Sequence, residues 1–151
     1  MKTLAKQKDQ EQITGRLLTL KTSSQRRWGK MSANQMLCHL SDSFRARLGE
    51  KQPSPADNWF LRTFFKWGAL YSPTPWPHGV KTRPEMDQSA GGTPPKGFDT
   101  DRDELIGLLH KVVQLDPDEK WRHPLFGPIT QAECLRWAYL HMDHHLRQFG
   151  V

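Results

Sequence analysis

The chain has 151 residues, 36% of them hydrophobic and 25% charged, with six Trp and seven Phe. That length suits one packed core rather than two, and the aromatic content excludes a disordered chain. The formal charge of +6 is a weak basic signal, and no apolar run reaches the length of a membrane span.

The N-terminal stretch Met1-Lys2-Thr3-Leu4-Ala5-Lys6-Gln7-Lys8 is basic and runs on into polar residues without an apolar h-region, so a cytoplasmic location is expected. From about Leu4 to Leu20 the chain is compatible with a helix, with Ile13, Leu17, Leu18 and Leu20 as its apolar members and Gly15 as its weak point. Ser32-Ala33-Asn34-Gln35 has the S-x-x-Q form of a capping box. Met36, Leu37, Leu40, Phe44 and Leu48 follow at helical spacing, and Gly49 is the expected stop. Asn58 to Tyr71 is a further predicted helix. It carries Trp59, Phe60, Leu61, Phe64, Phe65, Trp67 and Leu70, more aromatic groups than one face requires, which places it between core and interface.

The segment Ser72 to Gly97 holds Pro73, Pro75, Pro77, Pro84, Pro94 and Pro95 and has no period. It reads as a stiff wrapping, with Trp76 or its neighbours expected to pack on the helices and roof the site. Asp101-Arg102-Asp103-Glu104 opens an amphipathic helix carrying Leu105, Leu108, Leu109, Val112 and Val113, closed near Asp116-Pro117. After the helix-hostile run Pro124-Leu125-Phe126-Gly127-Pro128, Thr130-Gln131-Ala132-Glu133 is a full capping box. Its helix runs through Leu135, Ala138, Tyr139, Met142, Leu146 and Phe149 to Gly150. There are no repeats and no strand-like alternation, and neither half alone has enough helices for a core. The expectation is one all-α domain over 1–151.

Cys38 and Cys134 form no CxxC pair, which excludes a finger-type zinc site and leaves them as small apolar residues. Among the seven histidines, His141-Met142-Asp143-His144-His145 is the informative cluster. On a helix His141 and His145 are about 40° apart in direction and about 6 Å apart along the axis, so both rings can reach one ion. His144 offers a secondary HxxH alternative. The H-E-x-x-H protease pattern fails, because Met142 stands where the catalytic Glu would be and Asp143 lies about 200° round from His141. Cys134 is about 10 Å down the axis, too far to bind the same ion. A third ligand must therefore come from another element. His39 is the natural donor, since it lies in an otherwise apolar register where a neutral polar group needs a buried partner. A single histidine of that kind is more often a hydrogen-bonded core residue; its conjunction with HxxxH is what points to a metal. His78, His110 and His123 read as loop, amphipathic helix and turn.

The order of a histidine in the second helix (Gln35-Met36-Leu37-Cys38-His39-Leu40), then a closing helix with HxxxH followed by Arg147-Gln148, resembles the DinB-like/YfiT-like superfamily of metal-dependent enzymes. Trp28-Gly29-Lys30-Met31 and His123-Pro124-Leu125-Phe126-Gly127-Pro128 resemble a branch of it with unknown function. The resemblance implies a four-helix bundle, a homodimer, and a divalent ion, nickel or zinc above all, on His39, His141 and His145. It implies thiol S-transferase, thiol-dependent isomerase or hydrolase activity. The function expected is a metal-dependent enzyme acting on a small-molecule substrate.

Thiol-dependent transfer is preferred over hydrolysis, because no Glu or Asp faces the ligand positions; Asp143 points away and Asp42 is expected to orient His39. Asp42, Gln35 and Gln148 are the nearby candidates for holding the ligands' outer nitrogens. Arg26, Arg27 or Lys30 would bind an anionic low-molecular-weight thiol. The alternatives are a metal-dependent hydrolase and a non-catalytic metal-stabilised dimeric bundle assembled through Trp59 to Tyr71. Nucleic-acid binding through Arg26, Arg27, Trp28 and Lys30 is the weakest reading, since no known binding module is visible. No Cys, Ser or carboxylate stands out as nucleophile or base.

Overall fold

Capping chemistry sets where two of the helices begin. The computed structural model describes residues 1–55 and 59–151, with 59–63 described as backbone. Among these are helices α1 (Gln7–Thr19), α2 (Ala33–Arg47), α3 (Trp59–Tyr71), α4 (Phe98–Val113) and α5 (Gln131–Gln148), with a short 3-10 turn at Pro84–Met86. Both predicted capping boxes are present. Ser32 Oγ accepts from the Gln35 amide at 3.2 Å while Gln35 Oε1 accepts from the Ser32 amide at 2.9 Å. Thr130 and Glu133 do the same at 3.2 and 2.9 Å.

Helix α4 begins at Phe98, three residues before the expected start at Asp101. Asp101 is buried inside the helix, and its Oδ2 accepts from the amides of Lys96 (3.0 Å) and Gly97 (3.1 Å) and from Asn34 Nδ2 of α2 (2.6 Å). A carboxylate that satisfies the flanking amides from within the first turns reads, in sequence, like a later start.

The fold is mostly helical but not all-α. Strands β1 (Trp121–His123) and β2 (Gly127–Ile129) form an antiparallel hairpin with Trp121 opposite Ile129 and His123 opposite Gly127. Three residues per strand are too few to display a period of two, and Pro128, opposite Arg122, brings no amide donor to the pairing. His123 is the hairpin's buried turn histidine: its Nδ1 accepts from the amides of Leu125 (3.1 Å) and Phe126 (3.2 Å), and its ring stacks on Phe126. Burial pushes its pKa down to about 3.

The unfolded chain, with an ordinary histidine value near 6.5, therefore takes up this proton first as pH falls. Stability conferred by neutral His123 is complete above about 6.5 and is lost toward pH 3, at about 1.4 kcal/mol per pH unit. Urea denaturation of chelator-treated protein at pH 7 and pH 5 should show about 2 kcal/mol of loss from this group. In His123→Asn, which keeps an acceptor for the two amides, that share should vanish; an unchanged pH difference would assign the loss elsewhere.

Helix α2 packs on α4, α1 and α3 pack on α5, and α2 also meets α5. Their shared core includes Leu37, Leu40 and Phe44 of α2, Leu105 and Leu109 of α4, Met142 and Leu146 of α5, Ile13 and Leu17 of α1, and Leu70 of α3. Each such burial contributes roughly 1.5–3 kcal/mol relative to exposure. Both cysteines are buried free thiols whose pKa burial pushes up to about 12, as small apolar residues should be. Other α3 side chains differ from Leu70: Phe64 is 75% and Trp67 61% exposed. Asn58 and the side chains of Trp59, Phe60 and Leu61 lie outside the described residues. Among the described residues no helix is long and apolar enough to cross a membrane.

A carboxylate of α2 helps hold the Pro-rich segment to the helices. Asp42 of α2 is fully buried. It accepts from Thr93 N (2.8 Å) and Oγ1 (2.6 Å), Gln88 Nε2 (3.0 Å), Lys51 Nζ (2.8 Å) and Arg45 Nη1 (3.0 Å). Its role is thus to clamp the loop, not to orient His39 as expected. Trp76 Nε1 donates to Ala69 O at 2.8 Å and the ring packs against the core.

Candidate metal centre

The α2 register that buries Met36, Leu40 and Phe44 also turns His39 inward, and α5 presents His141 and His145 one turn apart toward it. Nε2 of His141 lies 3.1 Å from Nε2 of His39 and 3.2 Å from Nε2 of His145, and the three donor atoms lie within 4.8 Å of one another. Two nitrogens each about 2.0–2.1 Å from one ion would be about 2.9 Å apart at a right angle and about 3.4 Å apart at a tetrahedral angle. The two distances from His141 fall between these limits and the third pair lies within 4.8 Å, so the three histidines could hold one divalent ion.

The outward nitrogens decide which form the rings take. His39 Nδ1 is 2.9 Å from the Met86 carbonyl, which only accepts, so this nitrogen carries the proton. His145 Nδ1 is 2.9 Å from Gln148 Oε1, and Gln148 Nε2 donates to the Trp28 carbonyl at 2.8 Å, which orients the amide. Both Nε2 atoms therefore bring lone pairs to the centre. His141 has one ring proton and can satisfy at most one of them. Among the described residues at least one buried lone pair is left without a donor, and a cation is the partner that fits.

Burial is the main cause holding all three histidines below the ordinary value, with repulsion from neighbouring histidines adding to it at His141 and His145. Neutral rings are the ligand form. His39 and His145 are buried, whereas His141 is partly exposed, so the centre meets solvent on that side. Trp137 and Trp76 flank His141, with ring centroids at 5.1 and 6.0 Å.

His144 is not part of the converging set. Its ring sits among Trp28, Trp76 and His78, at 5.7, 5.9 and 6.0 Å. His78, read as a plain loop residue, stacks on Trp28 at 3.9 Å. Of the three orienting partners anticipated, Gln148 fills that role; Asp42 does not, and Gln35 belongs to the capping box. The Met86 carbonyl was not anticipated, because a backbone oxygen leaves no mark in the sequence. Removing the amide in Gln148→Leu should weaken zinc or cobalt binding about 10- to 100-fold, read by competition with a chromophoric chelator. Native affinity in that variant would show that His145 needs no such support.

No protein-family model, curated protein or solved structure matches this chain. The class that fold and site define is a mostly helical protein with a three-histidine cluster able to take a metal.

Proposed function

We propose that the chain is a metal-dependent enzyme of the DinB-like/YfiT-like superfamily, with nickel or zinc on His39, His141 and His145, and that it catalyses thiol-dependent group transfer. The observation that carries this reading is the convergence of three Nε2 atoms, two of them with their protons fixed on the far side of the ring. Held by three neutral ligands, a divalent ion keeps its full charge, leaves positions open and acidifies a thiol or water.

The protein's own part is orientation and shielding. Met86 O and Gln148 aim His39 and His145, the exposed side of His141 admits the reactants, and Trp76 and Trp137 restrict water beside it. In the transfer a sulfur–carbon bond forms, the leaving group departs with its bonding pair, and the thiol proton passes to solvent. Hydrolysis normally needs a carboxylate to carry the water's proton. The two carboxylates nearest the ligands in sequence are otherwise engaged: Asp42 with the loop, and Asp143 with Arg16 (2.6 Å) and Arg147 (3.5 Å). This favours the thiol reaction over the hydrolase alternative.

A second reading, a non-catalytic metal-stabilised homodimer, draws on the exposed Phe64 and Trp67 of α3. The test is a panel of low-molecular-weight thiols with a chromogenic aryl halide, comparing metal-loaded protein with His141→Ala, after elemental analysis of untagged protein. Faster transfer by the native protein is expected. Equal rates would overturn the proposal; ester hydrolysis without thiol would favour the hydrolase, and bound metal without any turnover the dimer.

A further inference from the structure

A second concavity lies one side chain away from the three-histidine cluster. It is a groove of about 290 Å³ between one face of α5 and the start of the Pro-rich segment. Arg136, Leu140 and His144, on successive turns of α5, form its floor, and Pro73, Pro75 and Trp76 its wall. Trp76 is shared between the two places, since its ring also lies 6.0 Å from His141. The volume is at the small end for ligand pockets, so the occupant is small.

The charges along the groove do not cancel. Lys2, Arg136 and Arg147 line it against one carboxylate, Asp143. Asp143 is already held at 2.6 Å by Arg16, which does not line the groove, and Lys2 is held by Asp9 at 2.9 Å. Among the described residues Arg136 has no carboxylate within ion-pair distance. Its Nε donates to the Leu70 carbonyl at 3.1 Å and its Nη1 to the Lys2 carbonyl, both neutral acceptors. Arg136 is partly buried, and that burial lowers its pKa more than the nearby Asp9, itself paired with Lys2, raises it. Such a guanidinium binds planar anions well, and a carboxylate can take two of its N–H groups. Leu140, Pro75 and Trp76 supply apolar surface for the rest of the molecule.

We propose that this groove binds a small organic carboxylate, with Arg136 taking the anion and Trp76 lining the apolar remainder. As the substrate subsite of the three-histidine centre it rests on the function proposed above; as a binding site it does not.

The probe is 3-phenylpropionate, titrated into metal-free full-length protein by calorimetry and by Trp fluorescence. Saturable 1:1 binding is expected, weakened about tenfold or more in Arg136→Gln and for the uncharged 3-phenylpropionamide. Arg122→Gln, whose charge lines a different cavity, should bind as the native chain does. Because Arg136 also ties down Leu70, Arg136→Lys is included; it keeps the charge and should bind better than Arg136→Gln. Equal binding of acid and amide, native affinity in Arg136→Gln, or equal loss in the Lys and Gln variants would overturn the proposal. Zinc titration of the same samples reads the metal site separately. Carboxylate binding without zinc binding overturns only the metal reading, and zinc binding without carboxylate binding only the groove.

Discussion

Replacing His39 with alanine is expected to abolish stoichiometric zinc or nickel binding while leaving a folded protein. Loss of a supporting hydrogen bond around a metal ligand costs about 10- to 100-fold in affinity, so loss of the ligand itself should cost more than about 100-fold. The two histidines left share one helix face, with nothing opposite to close the site. The fold should survive, because His39 contributes one hydrogen bond to the Met86 carbonyl, worth about 1 kcal/mol net. Without metal, its removal also relieves an unsatisfied lone pair facing His141. The measurement is competitive chelator titration with a thermal melt of the metal-free protein. His144→Ala is the control and should bind metal within a few-fold of native. If His144→Ala loses the metal and His39→Ala keeps it, the ligand set is wrong.

Gly29→Ala should damage the metal site although Gly29 touches no ligand. Its φ is +78°, where an added Cβ costs about 1–2 kcal/mol. A Cβ there would also sit well inside contact distance of Gln148 Nε2, the amide that links the Trp28 carbonyl to His145. Gln148 must swing away, and His145 then loses the acceptor that fixes its proton on Nδ1. The expected result is a destabilisation of about 1–2 kcal/mol together with about 10- to 100-fold weaker metal binding.

Gly49→Ala separates the two effects. Gly49 has nearly the same φ, +77°, but nothing within 4 Å of an added Cβ. It should show the strain in a denaturation curve and leave metal affinity unchanged. Equal affinity in the two variants would disconnect Gly29 from the site. The Trp28-Gly29 pair thereby acquires a physical reason: a carbonyl that holds Gln148, followed by a residue with no side chain to displace it.

What the sequence by itself determined is what short-range chemistry can determine. The two capping boxes close over three residues, so the starts of α2 and α5 were readable from Ser32-Gln35 and Thr130-Glu133 alone. The shared face of His141 and His145 follows from helix geometry, and so does the reach of Gln148, one turn on, to His145. His39 was legible as a candidate because a neutral polar residue in an apolar helix register needs a partner. That the partner is the His141–His145 pair was decided by how α2 packs against α5, across about a hundred residues of chain.

The same distance in sequence hid the rest. The hairpin Trp121–Ile129 is held by pairing between strands too short to show alternation. Asp101 marks the inside of α4 rather than its start because its acceptor role is set by Lys96, Gly97 and the distant Asn34. Asp42 could reach toward His39 by helix spacing, but the buried carboxylate is taken by Thr93 and Gln88 once the Pro-rich segment folds back over α2. The same folding back brings the Met86 carbonyl to His39. A backbone oxygen has no residue identity to read, so only the tertiary structure could place it.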